Sequence, residues 1–194
     1  MRKINIEKIA SLPLSRQLYA DYKPFSLVDG EGVRCAIFVS GCIFNCKGCY
    51  NKSIQDFSNG KVLTDEIIDV IIEDIKEPYC QGLTLLGGEP FLNTDTCLRI
   101  VKRFRSELGN EKDIWCWSGY TWEELQESIK CNALNSYKQQ QLLSEVDVLV
   151  DGRYIDEQKD TTGTIKFRGS WNQRIIDVKE TTKQGKIILL EKYM

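Results

Sequence analysis

The chain of 194 residues contains no histidine. That absence removes zinc sites built on imidazole, Ser-His-Asp hydrolysis and Cys-His nucleophilic pairs. Any metal held here must use sulfur, carboxylate or a ligand that is not protein. Long apolar runs are missing as well: no stretch approaches the ~18 consecutive apolar residues of a membrane span. The first 25 residues hold no unbroken apolar segment of the secretory kind, which predicts a cytoplasmic protein that does not engage a membrane. Charge of one sign is not in excess. With 26 basic against 28 acidic residues and a net charge of −2, there is no electrostatic reason to expect nucleic acid as a partner. Tandem repeats and low-complexity tracts are absent too, and 42% apolar residues is an ordinary globular composition.

Cysteine, by contrast, is plentiful, with eight residues. A reducing cytosol argues against disulfides. Cys35, Cys80, Cys97, Cys116 and Cys131 stand alone and read as small buried hydrophobes. No second pair sits at ligand spacing, so an auxiliary cluster is not expected. The remaining three form GCIFNCKGCYN at residues 41–51.

The surrounding pattern alternates strand and helix. Val33–Ser40 reads as a buried strand, followed by the cysteine loop to about Ser53. Thr64, Asp65 and Glu66 open a helix whose inward stripe is Ile67, Ile68, Ile71, Ile72 and Ile75. Leu83–Leu86 is the next strand and ends in Gly87-Gly88-Glu89-Pro90. A helix from about Thr94 carries Leu98, Val101, Phe104 and Leu108 inward, and Gly109 suits its end. Ile114–Trp117 is a third strand. Thr121 and Glu124 form a capping box for a third helix, and residues 135–144 form a further helical stretch. Val146–Val150 is a fourth strand, with strand-like pieces at Thr164–Phe167, Ile175–Val178 and Lys186–Leu190. Asp29-Gly30-Glu31-Gly32 reads as a turn.

This order predicts an α/β fold with a mostly parallel sheet. A closed eight-unit barrel typically takes about 250 residues, so an open or partial barrel is expected. Chemistry in such sheets sits at the carboxyl ends of the strands. The cysteine loop and Gly87–Pro90 both follow strands directly and should meet on one rim.

Three thiolates at C-x3-C-x2-C can ligate three irons of a [4Fe–4S] cube through Cys42, Cys46 and Cys49, leaving the fourth iron without a protein ligand. That is a poor arrangement for electron transfer and a good one for binding a small chelating molecule. A zinc knuckle would need a fourth ligand that is not nearby. After Gly87 and Gly88, which let the main chain approach a ligand, Glu89 offers an acceptor for an ammonium group.

The cysteine loop after a first strand, with the Gly-Gly-Glu segment after another, resembles the radical S-adenosylmethionine (SAM) superfamily. The resemblance implies a core at residues 26–178, between an N-terminal extension at 1–25 that packs on the core or frays and a C-terminal tail at 179–194. It implies that the amino and carboxylate groups of SAM chelate the open iron. Reductive cleavage would then release methionine and a 5′-deoxyadenosyl radical, with Cys42, Cys46 and Cys49 acting through the cluster. Gly87, Gly88 and Glu89 would hold the methionine amino group, and Cys49 with its neighbours Gly48 and Tyr50 would face the cofactor. The Tyr50 ring stands either against the adenine or in loop packing. Ser118 either bonds the ribose or carboxylate or belongs to a turn leading into the Thr121 cap.

DGEGVR at 29–34, FVSGC at 38–42, GCYNKS at 48–53, DIWCWSGYT at 113–121, DVLVDG at 147–152 and RGSWNQR at 168–174 further resemble the activating components of anaerobic ribonucleotide reductase. That family often has a histidine where this chain has Phe44. The resemblance implies a glycyl radical generated on the large reductase subunit, and a flavodoxin or ferredoxin as electron donor. An activase of another glycyl-radical enzyme, such as pyruvate formate-lyase, shares the cluster loop. A small-molecule radical enzyme, an iron–sulfur electron carrier and a zinc-stabilised module are the other readings.

Overall fold

The computed structural model describes residues 15–131 and 135–193. Seven strands form one sheet: β1 (Leu18–Ser26), β2 (Val33–Val39), β3 (Lys61–Val62), β4 (Cys80–Gly87), β5 (Asp113–Trp117), β6 (Val148–Asp151) and β7 (Arg174–Asp177). Their order is β3-β1-β2-β4-β5-β6-β7. The central β2, β4, β5 and β6 run parallel, while β1 and β7 pair antiparallel at the two sides. Helices α1 (Asp65–Lys76), α2 (Thr94–Leu108), α3 (Trp122–Lys130), α4 (Ser136–Glu145) and α5 (Val178–Gln184) fill the intervals. None of the described helices is long and apolar enough to cross a membrane.

The period of two along each strand divides the sheet into two faces. Cys35, Ile37 and Val39, Leu83 and Leu85, Ile114 and Cys116, and Leu149 pack in the main core with the apolar sides of α1 to α4. Their neighbours Ala36, Phe38, Leu86, Trp115, Val148 and Val150 form two smaller clusters, one of them closed by Tyr193. Helix starts follow local capping chemistry. Thr64 Oγ1 accepts from Ile67 N at 3.4 Å, and Thr121 with Glu124 forms the reciprocal capping box. Glu77 leaves the helical region at the end of α1, as a residue before proline does.

At the amino end of β2, Arg34 is fully buried. Its guanidinium donates to Thr84 Oγ1 at 2.8 Å, Leu83 O at 2.8 Å, Asp113 O at 3.2 Å and Glu31 O at 3.3 Å. Asp113 Oδ1 lies 2.6 Å away as an ion pair. Thr84 Oγ1 in turn donates to Asp29 O, so the Asp29–Gly32 turn is tied into this knot.

Differences from the sequence-based expectations have local causes. Residues 18–25, within the expected extension, pack on the core as β1, while residues 1–14 lie outside the described residues. Val146 caps α4, so the fourth predicted strand starts at Val148. Thr164–Phe167 is not a strand. Asp160 Oδ1 accepts from Thr162 N and Oγ1, and its Oδ2 accepts from Ile165 N, a side-chain network that competes with strand pairing. From Lys186–Leu190 only an isolated bridge, Leu189 to Ile176, is formed. Cys131 is exposed rather than buried, because it caps the free end of α3.

Candidate iron–sulfur site

The cysteine loop leaves β2 and closes on itself. Gly41 N donates to Ile54 O at 2.8 Å and Cys42 N to Gln55 O at 2.9 Å, making residues 42–54 a pinned excursion beyond the sheet. Inside it Cys49 N donates to Cys46 O, a tight turn between the last two cysteines. The segment after β4 is bound to the base of this loop. Gly88 N donates to Val39 O and Glu89 N to Gly41 O, both at 2.8 Å, and Asn93 Nδ2 bridges Gly41 O and Glu89 O. A side chain at Gly88 would put Cβ 2.3 Å from Gly41 O, so this approach requires glycine.

Cys42, Cys46, Cys49, Gly87, Gly88, Glu89 and Ser118 line one cavity of about 140 Å³ at the carboxyl ends of β2, β4 and β5. Gly48 and Tyr50 are not in its wall. Gly48 packs against Asp156 and Tyr154. Tyr50 is 70% exposed, with its ring edge-on to Tyr154 at 5.7 Å and Lys159 Nζ 5.3 Å from its centroid. Among the residues that motif reading did not assign to the site, Phe44, Asn51, Tyr154 and Gln173 also line the cavity. Asn51 and Gln173 lie in the segments GCYNKS and RGSWNQR, and Tyr154 comes two positions after DVLVDG, so proximity to those segments was the available signal.

Glu89 is 1% exposed, and its carboxylate is well supplied with donors. Oε1 accepts from Ser118 Oγ at 2.8 Å and Phe91 N at 3.0 Å, and Oε2 accepts from Gly119 N at 2.7 Å. Of about four lone-pair positions on a carboxylate, one on Oε2 stays free. Burial pushes the Glu89 carboxyl up to about 7, against the opposing effect of these hydrogen bonds. The Ser118 hydroxyl also accepts from Tyr120 N at 3.0 Å, so it is engaged on both sides by protein.

Phe44, between the first two cysteines, is seated against the ends of β5 and β6. Its ring meets Tyr120 edge-on at 4.8 Å, and Arg153 Cζ lies 4.5 Å from its centroid. Gly119 leaves room for it, since a Cβ there would come within 2.3 Å of the ring.

The donor set fits an iron–sulfur cube. Three soft thiol ligands face one cavity, and no fourth cysteine is among the residues lining it. No three His, Cys, Asp or Glu side chains among the described residues gather as a single-ion site, and a cube takes its ligands on separate irons. Burial pushes the Cys42 thiol up to about 12, with the charge of Glu89 adding, and burial likewise raises Cys46. Iron held by these thiols would displace protons from both. The remaining described cysteines do not line this cavity. Cys97 and Cys116 are buried, and Cys35 and Cys80 place their sulfurs 3.8 Å apart between β2 and β4.

Comparison with known proteins agrees with this chemistry. Residues 28–176 match the family described as 4Fe-4S single cluster domain. An anaerobic ribonucleoside-triphosphate reductase-activating protein of Vibrio cholerae is 44% identical over 161 residues, covering 81% of this chain and 96% of that protein. Proteins of the same name are 40% identical in Escherichia coli K12, over 80% of this chain and 95% of theirs, and 35% identical in Enterobacteria phage T4, over 78% and 88%. The chain is thus a single-cluster 4Fe–4S domain and belongs to the family of anaerobic ribonucleoside-triphosphate reductase-activating proteins.

Proposed function

We propose that this chain activates anaerobic ribonucleotide reductase by radical SAM chemistry, its target being the large, glycine-bearing subunit. The names of its relatives support the target. The observation that carries the chemistry is the single cavity shared by three cysteine thiols and the Gly87–Glu89 segment. An electron carrier needs no such cavity beside its cluster. A [4Fe–4S] cluster held by Cys42, Cys46 and Cys49, with one iron open, would supply the electron that cleaves SAM, and the 5′-deoxyadenosyl radical so released would take a hydrogen from the target glycine.

In this reading Cys42, Cys46 and Cys49 hold the cluster, and Gly87, Gly88 and Glu89 border the methionine end of SAM. The free lone pair on Glu89 Oε2 receives an ammonium hydrogen, while the other three hold Ser118, Gly119 and Phe91 in place. The open sheet is the partial β/α barrel of the superfamily, and its unclosed side admits a polypeptide loop. The chain works in the cytoplasm with a flavodoxin or ferredoxin-type donor.

The test is anaerobic reconstitution with iron and sulfide, then dithionite and SAM, with 5′-deoxyadenosine measured by chromatography. Cleavage is expected, and it should vanish in Cys46→Ala. Adding the large reductase subunit should give a glycyl radical signal by electron paramagnetic resonance. A fully loaded cluster that leaves SAM intact would refute the proposal.

A further inference from the structure

The loop between Cys42 and Cys46 rests on a cation. Arg153 lies against the Phe44 ring, and its side chain is only 21% exposed. The guanidinium is fixed from behind, with Nη1 3.0 Å from both oxygens of Glu124. Glu124 is itself held, since its Oε2 accepts from Thr121 N as part of the α3 capping box. The Arg153 main chain is also anchored, its carbonyl accepting from Asn172 Nδ2 at 2.8 Å. A continuous set of contacts therefore runs from the start of α3 through Glu124, Arg153 and Phe44 into the cysteine loop.

Nearby cations are used differently. Lys47 is in the same loop but is largely exposed and turned to Glu157 and Asp156. Arg174 is turned to Asp151 and Glu123. In the Arg153–Glu124 pair it is the guanidinium that meets the Phe44 ring.

A cluster becomes more negative by one charge when reduced, and nearby charge is one of the factors that set its potential. In a partly buried setting that interaction is little screened by salt. We propose that Arg153 raises the reduction potential of the cluster through its positive charge, held against the cysteine loop by Phe44 and Glu124. This rests on the cluster assignment above. Arg153 is a positioning and electrostatic residue, not a ligand.

The test is a redox titration of the anaerobically reconstituted protein, followed by electron paramagnetic resonance of the reduced cluster. Iron and sulfide are counted first, and a wild-type chain that binds neither fails the cluster assignment itself. In loaded protein, Arg153→Gln should shift the midpoint to lower potential, and Arg153→Lys, which keeps the charge, should stay near wild type. Glu124→Gln keeps an acceptor for Thr121 N but removes the opposing charge, and should shift the midpoint upward. That variant decides the matter if Arg153→Gln does not load. A midpoint unmoved in Arg153→Gln or in Glu124→Gln overturns the proposal, as does a fall in Arg153→Lys as large as that in Arg153→Gln.

Discussion

Both ends of the parallel sheet bury charged side chains, and Arg34 at one end and Glu89 at the other are buried to different effect. Arg34 at the amino end spends its donors on the carbonyls and hydroxyl of β4, β5 and the preceding turn, and does not line the cavity. Glu89 at the carboxyl end is almost as fully hydrogen-bonded, but it borders a cavity that also receives three thiols. A closed knot of polar groups fixes strand register and turn geometry. The same saturation next to open space fixes the wall of a cavity. Polar burial by itself therefore does not distinguish architecture from function; what the neighbouring space contains does.

The strongest way to break this comparison is to exchange cysteines between the two ends. Cys46→Ala should abolish cluster loading, read as iron and sulfide per chain. Cys80→Ala, at the amino end and sulfur to sulfur with Cys35, should load fully and lose roughly 1 kcal/mol of stability. Equal loading in the two variants would remove the cysteine loop from the site.

Next in size is the knot itself. Arg34→Met takes away the guanidinium and leaves Leu83 O, Thr84 Oγ1 and the Asp113 carboxylate without their donors. The expected cost is about 3 kcal/mol, measured by urea unfolding under nitrogen, with iron loading in the folded protein unchanged. Loss of loading from folded protein would mean that the two ends are coupled.

Glu89 gives an effect of at most comparable size, and one that depends on pH. Its carboxyl is raised from 4.5 to about 7, so between those values the folded chain holds a proton that the unfolded chain has released. Stability from this group is therefore greatest below pH 4.5 and declines as pH rises towards 7, by about 3 kcal/mol if the whole shift is expressed. Glu89→Gln should remove that part of the slope in a series of melts from pH 5 to 8. A wild-type and variant difference that does not change with pH would show that Glu89 ionises normally.

The parts of this arrangement differ in how legible they are in the sequence. Helix starts at Thr64 and Thr121 depend on hydroxyls and acids a few residues apart, so local rules find them. The first strand, LYADYKPFS, alternates poorly in polarity and contains Pro24, and its place in the sheet is visible only through its pairing with β2. The cysteines and the Gly-Gly-Glu segment carry their own spacing and follow strands, which is enough to bring them to one rim. The seat of Phe44 on Gly119 and Arg153 has no local signature, because it joins residues that are more than seventy positions apart. Likewise nothing in a lone Arg34 at a strand start announces a fully buried guanidinium.

Tyr50 offers the finest test of the boundary between wall and surround. It is adjacent to Cys49, yet its ring is mostly in solvent and leans on Tyr154 rather than into the cavity. If that placement holds with SAM bound, Tyr50→Ala removes only an exposed ring contact, changing stability by within about 0.5 kcal/mol and leaving SAM affinity within roughly twofold. Equilibrium dialysis of SAM against the loaded protein would measure it. A tenfold weakening corresponds to about 1.4 kcal/mol, more than an exposed ring edge accounts for. Such a result would mean that the ring turns onto the adenine on binding, extending the working wall by one residue beyond the last cysteine.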